Sequence, residues 1–79
     1  MDSVQAILDE IHPGIDYQNE TALIDDGLLD SFNVIAIVTE LNYRFNIKIS
    51  VGDLNRENFN SMQAIQALVE RHKQAEAGG

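Results

Sequence analysis

Apolar residues recur at intervals of three and four positions in three separate stretches of the chain. This spacing places them on one face of an α-helix, so that each stretch can bury a single stripe. The predicted helices cover residues 3–11, residues 30–46, and a last stretch that is capped by Asn60 or Ser61 and ends near His72. The predicted core positions are Val4, Ile7, Leu8, Ile11, Val34, Ile37, Val38, Leu41, Phe45, Ile65, Leu68 and Val69.

The segments between these helices complete the predicted fold. Residues 13–30 form a long loop whose scattered apolar side chains predict that it lies across the core. Ile47 and Ile49 alternate with Lys48, which we interpret as an extended linker because no second strand is present to pair with it. Asp53 is expected to cap a short helix over residues 53–58. Three main helices, one short helix and a long loop between the first two predict a small all-α bundle.

Size and composition indicate the class of protein. The 79 residues suffice for one domain, predicted to span residues 1–73, followed by a flexible tail over residues 74–79. No run of apolar residues approaches the roughly 20 of a membrane span, no signal peptide is recognisable, and the chain has no cysteine. A cytoplasmic protein that does not insert into membranes is expected. We recognise no catalytic or metal-ligating set, and interpret His12 and His72 as surface or helix-end residues.

The excess negative charge lies in the first 30 residues, which contain no lysine or arginine. Their acidic residues are Asp2, Asp9, Glu10, Asp16, Glu20, Asp25, Asp26 and Asp30, and the formal net charge of the whole chain is −8. Nucleic acid and anionic lipid are repelled by such a surface, whereas a protein partner with a basic patch is favoured. The alternative is that the acidic residues only keep a small domain in solution.

Ser31 follows Asp30 at the point where the second helix begins. Its hydroxyl is expected at the positive end of the helix dipole, which suits a phosphate group. Serine is also favoured as a helix N-cap, so an ordinary cap is the alternative. Phe32 and Ile35 flank Ser31 away from the predicted core face, which predicts an exposed patch for a partner protein. The alternative for Phe32 is that the long loop covers it.

The segment Gly27-Leu28-Leu29-Asp30-Ser31-Phe32, opening an amphipathic helix after an acidic loop, resembles the 4′-phosphopantetheine attachment site of acyl carrier proteins. The resemblance covers residues 3–73, and residues 29–32 and 44–59 look most like D-alanyl carrier proteins. It implies that a phosphopantetheinyl transferase moves phosphopantetheine from coenzyme A to Ser31, with Asp30 supporting this reaction.

The resemblance also implies a mode of action. A freestanding, monomeric carrier of this kind is not an enzyme, and holds acyl or aminoacyl groups as thioesters on the arm. A ligase loads the group and a downstream transferase removes it. By the same resemblance, Phe32, Ile35 and Thr39 would contact these partner enzymes.

The chain departs from fatty-acid carriers directly after Ser31. Carriers of that type usually present several acidic residues at this point, whereas residues 33–39 are uncharged and the first acid is Glu40. This difference favours an adenylating ligase that loads an amino acid or an unusual acid as the partner.

Two other classes remain open from the residues alone. The di-glycine at residues 78–79 is a feature of ubiquitin-like and sulfur-carrier proteins, although these also need a β-grasp fold. The second class is a non-catalytic helical protein-interaction module without a prosthetic group. In that module Ser31 would be a cap, and Phe32 and Ile35 would form the binding patch.

Overall fold

The computed structural model describes residues 3–77, and the side chains of residues 3–75. The helices are α1 (Val4–Ile11), α2 (Ser31–Phe45), α3 (Arg56–Phe59) and α4 (Met62–Ala77), and a turn of 3₁₀ helix (Val51–Asp53) precedes α3. Helix α4 packs against the other three, and α1 also packs against α2. No strand occurs in the described residues, so the predicted all-α bundle with one short helix is confirmed. No helix in this range has the length and hydropathy needed to cross a membrane.

The core combines one face of each helix with side chains from the connecting segments. Every predicted core position is buried or packs against the buried cluster. Met62 joins the predicted positions of α4. The connecting segments and α3 add Tyr17, Leu23, Leu29, Ile47, Ile49 and Phe59, each at most 7% exposed. The expectation that the long loop lies across the core is therefore confirmed.

Tyr17 joins the long loop to the end of α1. Its side chain is 1% exposed, and its hydroxyl donates to the carbonyl oxygens of His12 at 2.5 Å and of Leu8 at 3.3 Å. The Leu8 carbonyl also accepts from the backbone N–H of His12 at 2.8 Å, whereas the His12 carbonyl lies past the end of the helix. The phenol therefore gives a partner to a carbonyl that the helix itself leaves unpaired. Burial, together with the negative charge of Asp9, raises the pKa of the Tyr17 phenol above its ordinary value of 10.0.

The linker after α2 is extended, as predicted. Asn46 ends the helix in the left-handed conformation, with φ of 55°, which asparagine tolerates better than most residues. Ile47 and Ile49 are buried on either side of the exposed Lys48. The backbone N–H of Ile49 donates to Asn42 Oδ1 at 2.8 Å, so a side chain replaces the pairing that a neighbouring strand would supply.

The predicted role of Asp53 as the cap of the short helix is wrong. Asn55 caps α3, since its Oδ1 accepts from the backbone N–H of Asn58 at 3.0 Å. Asp53 instead ends the 3₁₀ turn, where its carboxylate accepts from the backbone N–H of Ser50 at 3.2 Å. Aspartate and asparagine are both favoured at N-caps. Asp53 is not the cap here because its carboxylate contacts His72 of α4.

The last helix begins as predicted but continues further. Ser61 caps α4, because its Oγ accepts from the backbone N–H of Ala64 at 3.0 Å. The predicted end near His72 is wrong, and the helix runs to Ala77. Residues 74–77 are strong helix formers that carry no apolar periodicity, so the pattern alone could not extend the helix through them. The flexibility of residues 74–79 stays a prediction, and Gly78 and Gly79 lie outside the described residues.

Candidate functional site

Asp30 and Asn33 cap the N-terminus of α2 reciprocally. Asp30 has extended backbone, and its Oδ1 accepts from the backbone N–H of Asn33 at 2.9 Å. Asn33 Oδ1 accepts in return from the backbone N–H of Asp30 at 3.1 Å. This capping box satisfies two backbone donors at the helix start, and it makes Asp30 the N-cap.

Ser31 is therefore the first helical residue, and its side chain is not needed for capping. It is exposed, and its hydroxyl forms no hydrogen bond with any residue in the described range 3–77. The alternative interpretation of Ser31 as an ordinary cap is wrong. A free hydroxyl thus lies at the positive end of a 15-residue helix.

Phe32, Ile35 and Thr39 lie on the outer face of α2 beside Ser31. Phe32 is 84% exposed and Ile35 is 58% exposed, so the long loop does not cover Phe32. Thr39 is also exposed, and its hydroxyl donates to the carbonyl oxygen of Ile35 at 2.8 Å. The exposure predicted for this patch is confirmed, and its contact with partner enzymes stays a prediction.

An open groove of about 430 Å³ lies directly beside Ser31. We call it the Ser31 groove, and three segments build it: the end of the long loop, the first turns of α2, and residues 54–59. Its walls are mostly apolar, with a few polar groups near Ser31. The lining residues are Ile24, Leu29, Asp30, Ser31, Val34, Ile35, Leu54, Asn55, Arg56 and Phe59.

Asn60 holds the loop wall of the groove in place. Its Oδ1 accepts from the backbone N–H groups of Ile24 at 2.9 Å and Asp25 at 3.1 Å, and its Nδ2 donates to the Asp25 carboxylate at 3.1 Å. Its own carbonyl accepts from the backbone N–H of Leu23 at 2.8 Å. One side chain at the α3–α4 junction therefore fixes the loop that leads to Ser31.

The opposite wall, residues 54–59, is tied to α4 through Asp53 and Asn58. His72 Nε2 lies 2.9 Å from Asp53 Oδ2, and Arg71 donates to Asn58 Oδ1 at 3.1 Å. The side chain of Asn58 in turn donates to the carbonyl of Asp53 at 3.0 Å. Hydrogen bonds from the Ser50 backbone, and then from His72, lower the pKa of Asp53 from its ordinary value of 3.8.

These contacts revise one interpretation made from the sequence. His72 lies within α4 and not at its end, and its partly buried side chain pairs with Asp53. Sequence reasoning also missed Leu54, Arg56 and Phe59 as groove residues and Asn60 as the loop anchor. The only local feature of the sequence that indicates these residues is that apolar side chains flank a short helix. The groove itself depends on contacts between residues more than 30 positions apart.

The geometry suits attachment of a phosphate-bearing group. Ser31 offers an unbonded hydroxyl, α2 offers the positive end of its dipole, and the adjoining groove offers apolar walls for an extended chain. In the described part of the chain, no group of three or more His, Asp or Glu side chains is arranged to hold a metal ion.

The chain is similar to D-alanyl carrier proteins of streptococci. A D-alanyl carrier protein of Streptococcus pyogenes serotype M5 (strain Manfredo) is 34% identical over 53 residues, which are 67% of each chain. A D-alanyl carrier protein of Streptococcus suis (strain 05ZYH33) is 40% identical over 43 residues, which are 54% of each chain. No protein-family model matches the chain. On the strength of these relatives and of the all-helical fold, the chain belongs to the acyl-carrier-like family of carrier proteins.

Proposed function

We propose that this chain carries aminoacyl groups on a 4′-phosphopantetheine arm attached to Ser31, and that it is not itself an enzyme. The observation that carries the proposal is the Ser31 hydroxyl, which is exposed and unbonded because Asp30 does the capping. Since no described residue forms a hydrogen bond with this hydroxyl, a phosphopantetheinyl transferase can reach it without breaking a hydrogen bond that the fold needs.

The attachment reaction follows from the groups present. The Ser31 oxygen forms a bond to the β-phosphorus of coenzyme A, adenosine 3′,5′-bisphosphate leaves, and the hydroxyl proton is released. Asp30 Oδ1 is engaged with the backbone of Asn33, whereas Oδ2 forms no hydrogen bond within residues 3–77. Oδ2 is therefore the oxygen that can orient the transferase or the Mg²⁺ that the transferase holds.

The arm fits the residues beside Ser31. When attached, phosphopantetheine supplies a terminal thiol that holds a carried group as a thioester. The apolar side chains of Leu29, Val34, Leu54 and Phe59 line the groove and would hold the less polar part of the arm. The chain has no cysteine of its own, so its only thiol would be the one on the arm.

Two observations support an aminoacyl cargo, with D-alanine as the specific candidate. The relatives described above are named D-alanyl carrier proteins. Residues 33–39 are also uncharged, so the acids that fatty-acid carriers present after their serine are missing. We propose that an adenylating ligase loads the arm and a downstream transferase unloads it, and that both enzymes contact Phe32, Ile35 and Thr39.

The two alternative classes are less well supported. A helical interaction module explains Ser31 only as a cap, and Asp30 has that role here. A di-glycine carrier requires a β-grasp fold, and the chain is all-helical over residues 3–77.

The proposal is tested by intact mass after incubation with coenzyme A, Mg²⁺ and a broad-specificity phosphopantetheinyl transferase. We expect the wild type to gain one phosphopantetheine and Ser31→Ala to gain none. Because the Ser31 side chain is exposed and forms no hydrogen bond within residues 3–77, the free energy of unfolding of Ser31→Ala should stay within about 0.5 kcal/mol of wild type. A folded wild type that gains no mass would refute the proposal.

A further inference from the structure

Among the side chains of residues 3–75, Arg56 is the one basic residue that lines the Ser31 groove, and it belongs to the wall formed by residues 54–59. Its side chain is 71% exposed, and its guanidinium reaches Asp25 at only 3.7 Å. Arg44, by contrast, lies 2.7 Å from Glu10 and 2.9 Å from Glu40. The guanidinium of Arg56 forms no hydrogen bond within residues 3–77, so its five N–H donors remain available to a ligand.

The surroundings of Ser31 are otherwise negative. Asp30 adjoins it directly, and Asp25 and Asp26 are exposed in the loop that forms one wall of the groove. A phosphodiester at Ser31 brings a further negative charge into this region. The N-terminus of α2 compensates for roughly half a charge, so a full positive charge in the groove would lower the free energy of the modified state further.

Resting on the function proposed above, we infer that Arg56 binds the phosphodiester that joins the arm to Ser31. In doing so, the Arg56 guanidinium gives up its 3.7 Å ion pair with Asp25 and donates hydrogen bonds to the phosphate oxygens instead. A planar guanidinium can donate two parallel hydrogen bonds to a phosphate, which a 3.7 Å contact with a carboxylate does not provide. The contact would hold the start of the arm against the wall of residues 54–59 and direct it along the groove.

The test is ³¹P NMR of the phosphopantetheinylated protein, with each sample first checked by intact mass. In the wild type, the phosphodiester resonance should differ from its position in the same protein unfolded in urea. Arg56→Gln should lose most of this shift, and Arg56→Lys should retain part of it. Lys73→Gln is the matched control: it removes one positive charge beside Phe45, outside the Ser31 groove, and should retain the whole shift.

A second variant tests the exchange of partners. Asp25→Asn removes the competing negative charge but keeps an oxygen to accept from Asn60, so the loop anchor is preserved. On phosphopantetheinylation, the Arg56 Nε–H resonance should move further in Asp25→Asn than in the wild type.

The outcomes separate this inference from the function on which it rests. Mass gain with the same ³¹P shift in wild type and Arg56→Gln would overturn the role of Arg56 and leave the carrier function standing. Absence of mass gain in the wild type would overturn both.

Discussion

At the residue scale, Asp30 and Ser31 divide two tasks between neighbouring side chains. A serine at a helix start can cap the helix or accept a modification, and one hydroxyl does not do both well. Here the Asp30 carboxylate caps, with its Oδ1 2.9 Å from the backbone nitrogen of Asn33. The serine that the resemblance singled out is thereby free, whereas the sequence alone allowed either residue to be the cap.

The exposed ring of Phe32 gives a prediction at this scale. Phe32→Asp should slow loading by the partner ligase at least about tenfold, because the change places a charge in an apolar contact. The fold should be retained, since the ring is 84% exposed and an acid is favourable in the first turn of a helix. Loading is measured as thioester formation by intact mass.

Tyr43→Ala is the matched control for Phe32→Asp. Tyr43 is 85% exposed near the other end of the same helix, so its removal should leave the loading rate unchanged. Equal loading rates for Phe32→Asp and wild type would contradict the docking role of Phe32.

At the scale of elements, the Ser31 groove depends on two tethers, one for each of two walls. Asn60 holds the loop, and α4 holds residues 54–59 through Asp53 and Asn58. Both tethers join segments that are far apart in sequence. The site therefore requires the whole bundle, although its reactive atom lies on a single helix.

Asn60→Ala tests the loop tether. The backbone N–H groups of Ile24 and Asp25 would lose their acceptor, so we expect a loss of about 1–3 kcal/mol in the free energy of unfolding. In hydrogen exchange, these two amides should lose more protection than amides within α1. Unchanged exchange at Ile24 and Asp25 would show that Asn60 does not hold the loop.

Asp53→Asn tests the tether between the 3₁₀ turn and α4 through its pH dependence. The pKa of Asp53 is lowered in the folded protein, so its carboxylate stabilises the fold fully above its ordinary value of 3.8 and loses this effect as pH falls through the folded pKa. Wild type should therefore be more stable than Asp53→Asn at about pH 5, and the difference should shrink below about pH 3.8. Urea unfolding measures it, and a difference that stays constant down to about pH 2.5 would contradict this account.

An element can be predicted from the sequence when the residues that determine it lie close together in the chain. Helices α1 and α2 followed from apolar periodicity, and the start of α2 also followed from Asp30 and Ser31. The cap of α3 was misassigned because Asp53 and Asn55 have similar N-cap preferences, and the partner that occupies Asp53 lies in α4. The Ser31 groove could not be predicted, since its walls meet only after α3 packs against α4.

At the scale of the whole molecule, we expect the charge distribution to govern encounters with the proposed partner enzymes. The acidic residues near Ser31 attract an enzyme that has a basic face, and salt screens this attraction. Ligase loading measured as kcat/KM should therefore fall at least about threefold between about 0.05 M and 0.5 M NaCl. Asp26→Asn should weaken this salt dependence more than Glu70→Gln, because Glu70 lies in α4 with Lys73 as its partner. Equal salt dependence in both variants would argue against steering by the acidic loop.

Asp30 provides the helix cap and Ser31 provides the hydroxyl. The hydroxyl can therefore be removed without changing the shape of the molecule. A Ser31→Ala chain keeps the capping box, the outer face of α2 and the acidic loop, yet it has no atom to receive an arm. In a cell that also makes the wild type, such a chain would occupy the same enzymes and yield nothing. It would therefore act as a dominant-negative decoy. The strength of its inhibition would measure how much of partner recognition does not require the arm.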